Sequence, residues 1–402
     1  MANPRFANPF RPGAGHMPPY LAGRNAEQTE FRKLLEQDAI LENLVLTGLR
    51  GVGKTVLLET LKPIAVQAGW LWVGTDLSES SSTTEEHLAT RLLTDLSVVT
   101  SSWILTTQEV RRFGFSRATD SEDIRLDYET LQTIYTQTPG LVPDKIKQVL
   151  ETVWMGVQAQ DKRGIIFAYD EAQLLADHGR DKQYPLSVLL DVFQSIQRKG
   201  VRFMLVLTGL PTLFPKLVEA RTYAERMFRV VFLNRLDAKA SAAAIRHPTE
   251  KKECSVRFTD DSIAVVVETS GGYPYFIQFI CKEIYDVWVQ ATDAGASLPS
   301  IPMEAITRKL DNDFFAGRWA RATDRQRDLL YVAAMLDDCE EEFTVQEIVG
   351  KSEEILDNPF GNSHANQMLS ALCGHGLIYK NRHGKYSFAV PLFSRFIRRQ
   401  IA

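Results

Sequence analysis

The octapeptide GLRGVGKT, Gly48 to Thr55, constrains this chain more than any other stretch. It fits the pattern GxxxxGK[ST], follows the apolar run LENLVLTG and opens a helical pattern from Thr55 to Ala68. That context predicts a buried strand, a tight loop and a helix whose N-terminus points at an anion. Gly48, Gly51 and Gly53 let backbone N–H groups turn inward without a Cβ clash. Leu49, Arg50 and Val52 complete the loop, and Val56 continues the helix. Lys54 supplies a cation to the outer phosphates, and Thr55 a hydroxyl to Mg2+. The ligands implied are ATP and Mg2+.

The surrounding pattern supplies a sheet for the loop. GWLWVGTDLS reads as a second strand, GIIFAYDEAQ as a third and VRFMLVLTGLP as a fourth; RMFRVVFLNRL supplies a fifth. Helical spacing separates them, in AEQTEFRKLLEQDA, LVPDKIKQVLETVWMGVQAQ and PLSVLLDVFQSIQRKG. Apolar strands alternating with helices predict an α/β fold, a parallel sheet covered on both faces. Residues 78–140 read weakly, with one clear helix near Glu86–Leu96, and suggest an insertion or a flexible segment. Trp103 and the Phe113–Phe115 pair are candidate anchors for it. The first twenty residues contain five prolines and read as an extended strap. The expected organisation is a strap over 1–21, a nucleotide-binding core over 22–236 with the insertion at 78–140, a helical lid over 237–321 and a third unit over 322–402.

In FAYDEAQ, Asp170 ends an apolar strand, where open α/β sheets bind ligands. A carboxylate there suits hydrated Mg2+, and Glu171, the next residue, suits polarising an attacking water. That pairing favours hydrolysis over phosphate transfer to a second substrate. Thr208 ends the LVLTG strand and could touch the terminal phosphate or the water. Arg226, in AERMFRVVFL, precedes an apolar run and could reach a neighbouring copy's nucleotide; Arg229 competes for that role.

Composition sets outer bounds. With 402 residues, 45% apolar and 24% charged, the chain can bury a core without staples. No run of eighteen apolar residues exists, so no membrane span is expected, and the N-terminus lacks the pattern of a secretory signal. The four cysteines form no CxxC pair, which argues for reduced thiols in a cytoplasm. A nucleoid-associated location follows if DNA binding holds. Net charge is −4, but its distribution is uneven. Residues 337–357 carry nine acids and one base, whereas 358–402 carry six bases and no acid. That basic end is a candidate binding surface.

The ordered set PPYLAGRNAEQTEF, GLRGVGKT, FAYDEAQ, LVLTG, AERMFRVVFL and GGYPYFIQFI resembles AAA+ ATPases. It is most similar to the initiator clade of origin-recognition and archaeal replication-initiator type, including bacterial ATP-binding proteins of that kind. The resemblance covers nearly the whole chain. It implies that Gly23 and Arg24 lie near the adenine, that Glu171 is the catalytic glutamate and that Thr208 is the first sensor, where family members commonly have Asn. The second-sensor helix begins at GGYP, residues 271–274. Many AAA+ proteins carry an arginine there; here Pro274 or Tyr275 occupies the place and no arginine follows soon. The same turn resembles signalling STAND ATPases, where it abuts the nucleotide base. These departures imply slow hydrolysis and a nucleotide-controlled switch.

The C-terminal pattern resembles a winged helix. ATDRQRDLLYVAAML, FTVQEIVG and SHANQMLSALCGHG supply three helices, with Met368, Leu369 and Leu372 facing the core. LIYKNRHGKYSFAV then alternates around His383-Gly384 as a hairpin, with Leu377 and Tyr379 in phase with Tyr386 and Phe388. PLFSRFIRRQ closes the unit as a helix. Lys380, Arg382 and Lys385 are the wing residues that would touch DNA phosphates. The third helix has no arginine or lysine, so base readout is expected to be poor.

Together these features predict a low-turnover ATPase that binds ATP or ADP, forms a homo-oligomer with nucleotide and engages double-stranded DNA. A second reading is a STAND-like signalling or defence ATPase whose winged helix makes protein contacts only. A third is an adaptor ATPase for a mobile element or a DNA-remodelling machine.

Overall fold

A computed structural model describes the chain except residues 1–7, 14, 79–82, 112–118, 251–253, 255, 383 and 402, and leaves aside the side chains of 106–111, 119–123, 382 and 401. Its strands are β1 Asn43–Thr47, β2 Trp70–Val73, β3 Ile104–Arg111, β4 Thr119–Arg125, β5 Gly164–Tyr169, β6 Phe203–Gly209, β7 Phe228–Phe232, β8 Phe343–Thr344, β9 Ile378–Arg382 and β10 Lys385–Phe388. Contacts divide the chain into two compact units. One comprises Asn25–Thr47 and Leu57–Phe232; the other comprises the segment ending at Arg24, Gly48–Val56 and everything from Leu233 onward.

The first unit is built on a five-stranded sheet in the order β2-β5-β6-β1-β7. All four neighbouring pairs are parallel. β1, β5 and β6 are buried at every position, which requires cover on both faces and explains why their sequences are continuously apolar rather than alternating. β7, at the edge, is only partly buried. Asn43 ties the lower part of the sheet together: its Oδ1 accepts from Leu205 N at 2.7 Å and its Nδ2 donates to Met227 O at 3.2 Å. The middle strands β5, β6 and β1 therefore end side by side, which places Asp170, Thr208 and Thr47 at one end of the sheet.

The weakly patterned stretch is structured. A helix spans Glu85–Thr100, capped by Thr84, and buries Leu88, Leu92, Leu93 and Leu96 in the same core as β5 and β6. A second helix, Tyr128–Gln137, is capped by Asp127 and buries Leu131 and Tyr135. Between them β3 and β4 form a two-stranded antiparallel ribbon absent from the sequence expectation. Trp103 is buried at its base, against Gly156. Phe113 and Phe115 lie outside the described residues. The first helix matches the one expected near Glu86–Leu96, whereas Tyr128–Gln137 went unread because its core contacts are distant in sequence; the ribbon strand TDSEDIR carries too few apolar residues for a strand signal.

The second unit contains helices Ala238–Thr249, Asp260–Ser270, Pro274–Asp293 and Met303–Leu310, then a π turn at Asp311–Phe315 and a short helix Ala316–Trp319. The strap lies along the longest of these. Phe10 is buried edge-on to Phe258 and Tyr285. Asn8 donates to Lys282 O at 2.9 Å and to Asp286 at 2.8 Å, and Arg11 N donates to Gln278 Oε1 at 3.1 Å.

The C-terminal part is a winged helix. Helices Asp324–Ala334, Val345–Ile355 and Asn362–Gly374 pack with a three-stranded antiparallel sheet in the order β8-β10-β9, whose first strand lies between the first two helices, and the helix Phe393–Ile401 closes the unit. Thr323 and Thr344 begin the first two helices as capping boxes with Gln326 and Glu347. The hairpin register differs from expectation by one residue. Ile378 and Lys380 oppose Phe388 and Tyr386, whereas Tyr379 opposes Ser387, because the ladder shifts between Lys385 and Tyr386. Such a bulge adds a residue to one strand and reverses the phase read from simple alternation. Gly384 takes φ +74 at the turn, while His383 lies outside the described residues.

Candidate functional site

The phosphate loop leaves the chain at the residue after Thr47. Gly51 and Gly53 have φ of +80° and +89°, values that L side chains rarely adopt. Gly48 is required by proximity instead: a Cβ there would lie 2.5 Å from Leu233 O. Lys54 is nearly buried, and its Nζ donates to Gly48 O at 3.0 Å and Leu49 O at 2.9 Å. The ammonium is thus held over the loop by the loop's own carbonyls. Val52 is buried, Arg50 is exposed, and Leu49 and Thr55 are partly so. The helix Lys54–Gln67, which includes Val56, begins at the lysine itself.

Two further segments fasten the loop. Arg24 is buried, and its Nη2 donates to Val52 O and to Asn234 O, both at 2.8 Å. Gly23 precedes it, with a Cβ position 2.8 Å from Ala240 Cβ. The GGYP turn approaches from the other segment: Tyr275 N donates to Gly51 O at 3.2 Å, and Pro274 is the first residue of its helix. Sequence reasoning singled out Gly23, Arg24 and Pro274, and all three belong to the unit that holds the loop. It missed that Arg24 braces the loop backbone, which needs the tertiary contact to be seen.

The sheet unit presents its own polar cluster. Asp170 is buried; its N–H donates to Thr75 O at 3.2 Å and its Oδ1 accepts from Glu171 N at 2.8 Å. Glu171 is exposed and left-handed, with φ 51°. For a non-glycine residue that conformation costs roughly 1–2 kcal/mol. Gln173, which sequence reasoning did not select, holds the Glu171 carboxylate: its Nε2 donates to Glu171 Oε2. The other end of that amide, Oε1, accepts from Leu210 N at 3.1 Å, just beyond β6. Lys216 Nζ donates to the Gln173 carbonyl at 2.8 Å, and burial holds the Lys216 ammonium below its ordinary basicity.

Thr208 is fully buried, and its hydroxyl has no hydrogen-bond partner among the described residues; the same is true of Thr47. A buried orphan hydroxyl is costly and calls for a ligand or water. Arg226 lies in the short helix Ala224–Met227, is exposed, and its side chain has no partner among the described residues. Arg229 is paired with Glu30 at 2.9 Å.

Among solved structures, the ADP form of the ORC2 protein of Aeropyrum pernix matches with a TM-score of 0.53 at 14% identity, covering 97% of this chain and 98% of that one. The fold is of the AAA+ type and is shared with this ORC2 protein. Cdc6p of Pyrobaculum aerophilum matches at TM-score 0.48 and 13% identity, over 97% of this chain and 98% of that one. The ORC1 protein of A. pernix in complex with DNA matches at 0.46 and 13%, over 96% and 94%. Residues 312–397 match a family described as a domain of unknown function, DUF8462. No curated protein matches the sequence.

Within this AAA+ fold the winged helix carries less free charge than its sequence suggests. Arg395 donates to Glu268 O at 3.2 Å, Arg398 to Ala334 O at 2.7 Å, and Arg399 pairs with Asp311 at 2.5 Å. Three of the six bases are therefore engaged internally. Lys380 is exposed and Lys385 partly buried; the Arg382 side chain lies outside the described residues. Among the described residues no helix is long and apolar enough to cross a membrane, and no cluster of three His, Cys, Asp or Glu could hold a metal alone.

Proposed function

We propose that this chain is a Mg2+-dependent ATPase of low turnover that assembles with nucleotide and engages DNA. The observation that carries the reading is the loop Gly48–Thr55, with its two left-handed glycines and its buried lysine, at the head of a helix. Lys54 neutralises the phosphates. Mg2+ would supply charge neutralisation of the triphosphate; Asp170, a buried hard carboxylate, and Thr55, a hydroxyl, are the residues whose chemistry suits it. Glu171 takes up the water proton, Thr208 offers its unpaired hydroxyl to the terminal phosphate or the water, and Gly23 and Arg24 border the adenine. Arg226 acts on a neighbour's nucleotide. Residues 237–321 act as the lid, and 322–402 deliver Lys380, Arg382 and Lys385 to DNA phosphates.

Calorimetric titration with ATP tests the core of this reading. Lys54→Ala should abolish binding, and Glu171→Gln should bind ATP but release no phosphate. Undiminished affinity in the first variant would sink the assignment. Gel filtration of apo, ADP and ATP forms tests assembly, and identical elution would remove Arg226 from the mechanism.

One observation favours a second reading, a signalling switch whose winged helix binds protein: the internal pairing of Arg395, Arg398 and Arg399. Fluorescence anisotropy of labelled duplex with Glu171→Gln and ATP-Mg2+, across a salt series, separates the two. Binding that needs ATP and weakens with salt supports DNA engagement. No binding at low salt supports the signalling reading.

A further inference from the structure

The second unit holds two guanidinium groups, Arg50 and Arg318, that feel one another's charge and have no ion pair among the described residues. Arg50 lies at the exposed tip of the phosphate loop, and Arg318 lies in the short helix Ala316–Trp319. They are joined by a stack of rings. Tyr275, bonded through its N–H to Gly51 O at 3.2 Å, lies 5.1 Å from the Phe314 ring at an angle of 33°. The Arg318 guanidinium sits 4.2 Å from the centroid of Phe314, and its Nη1 donates to the Phe314 carbonyl. The Arg50 guanidinium is 3.9 Å from the Cβ position of Gly376, in the turn before β9. Loop tip, short helix and winged-helix turn thus meet around two cations.

Several arginines of the same unit have an acid: Arg308 pairs with Glu304, Arg325 with Asp328, Arg327 with Asp324 and Arg399 with Asp311. Among the described residues neither Arg50 nor Arg318 forms an ion pair. Burial lowers the basicity of Arg318, and the like charges of Arg50 and Arg321 lower it further. Asp313 acts on the Tyr275 hydroxyl but is not paired with Arg318. An exposed cation and a half-buried one that repel one another are stabilised by an oxyanion, and guanidinium groups take phosphate oxygens in a planar, bidentate way.

We propose that Arg50 and Arg318 form an anion-binding pair for the terminal phosphate of a nucleoside triphosphate seated in the loop Gly48–Thr55. The proposal rests on the nucleotide reading above. The loop amides and Lys54 also serve the β-phosphate, which a diphosphate and a triphosphate share. The arginine pair serves the group that only the triphosphate carries. Because Arg50 also abuts the turn at Gly376, the same contact distinguishes the two nucleotides at the edge of the winged helix.

The test is calorimetry on the full chain with ATPγS and with ADP, for wild type, Arg50→Gln, Arg318→Gln and the double variant. Each single variant should weaken ATPγS roughly five- to twentyfold and leave ADP within about twofold, as expected for one lost charge-assisted contact. The double variant should weaken it by less than the product of the two, because both groups hold one phosphate. Arg318→Lys keeps the charge but loses the planar stack and should fall between. Arg50 is exposed, so its variant tests the pair even if loss of Arg318 unfolds the helix. Equal weakening for both nucleotides, or none for either, overturns the pair while leaving nucleotide binding intact. Absence of any nucleotide binding in wild type overturns the nucleotide reading and the pair with it.

Discussion

The phosphate loop and the terminal stretch from Lys380 to Arg399 are both short runs whose residue types suggest a polyanion. In the loop, the residues that matter turn inward together. Lys54 is held by carbonyls of its own octapeptide, and the glycine conformations are set within it. In the terminal stretch, the chemistry is dispersed. Arg398 and Arg399 reach back to Ala334 and Asp311, and Arg395 to Glu268. A motif defined by backbone geometry keeps its meaning in the fold. A motif defined by side-chain charge keeps it only if no other partner lies nearer. Long flexible arginine side chains find such partners readily.

The sharpest way to break that comparison is at the lysine. Lys54→Ala should weaken ATP by roughly a hundredfold or more, about 3 kcal/mol, in calorimetric titration. A smaller loss would mean that the loop does not work as a local unit. Next comes the close contact that the octapeptide does not itself reveal. Gly48→Ala places a Cβ 2.5 Å from Leu233 O, a backbone atom, and should lower stability by about 1–3 kcal/mol in urea unfolding. Unchanged stability would show that the approach of Leu233 is loose.

Gln173 sharpens the comparison within the sheet unit. Gln173→Ala frees the Glu171 carboxylate and leaves Leu210 N without its acceptor. Turnover should fall about tenfold with ATP affinity retained, which separates a positioning role from a binding one in steady-state kinetics. Gln173→Glu, which keeps the acceptor but sets a second acid beside Glu171, should not restore it.

The smallest effects belong to the terminal stretch. Arg398→Ala removes a bond to Ala334 O and should cost about 1 kcal/mol of stability by thermal melting, with no change in DNA affinity. Lys380→Ala with Lys385→Ala should leave stability unchanged and reduce the salt slope of DNA binding by no more than about 2. The reverse pattern, with Arg398 controlling DNA affinity and the lysines silent, would mean that the paired arginines swing outward when DNA binds.

Much of the site was legible for one reason: its parts are contiguous. The strand, loop and helix around Gly48–Thr55 follow one another without a gap, and Asp170 and Glu171 end a strand whose apolar run is plain. Gln173 was passed over because its neighbours, Glu171 and the amide of Leu210, belong to different turns. The ribbon β3–β4 was missed because the run TDSEDIR carries too few apolar residues for a strand signal. The hairpin β9–β10 was found but misphased, since a bulge leaves no mark in alternation.

The sequence by itself determined the strand, glycine loop and helix around Gly48–Thr55 and which strands form a buried parallel sheet. Both follow from periodicity and from glycine's freedom, properties that a segment carries with it. Only the tertiary structure decided which cations stay free. Arg229, Arg398 and Arg399 found partners, whereas Arg226, Arg50 and Arg318 have no acid paired to them among the described residues. The physical reason is that an ion pair depends on distance in space, and distance in space is what a linear pattern does not contain.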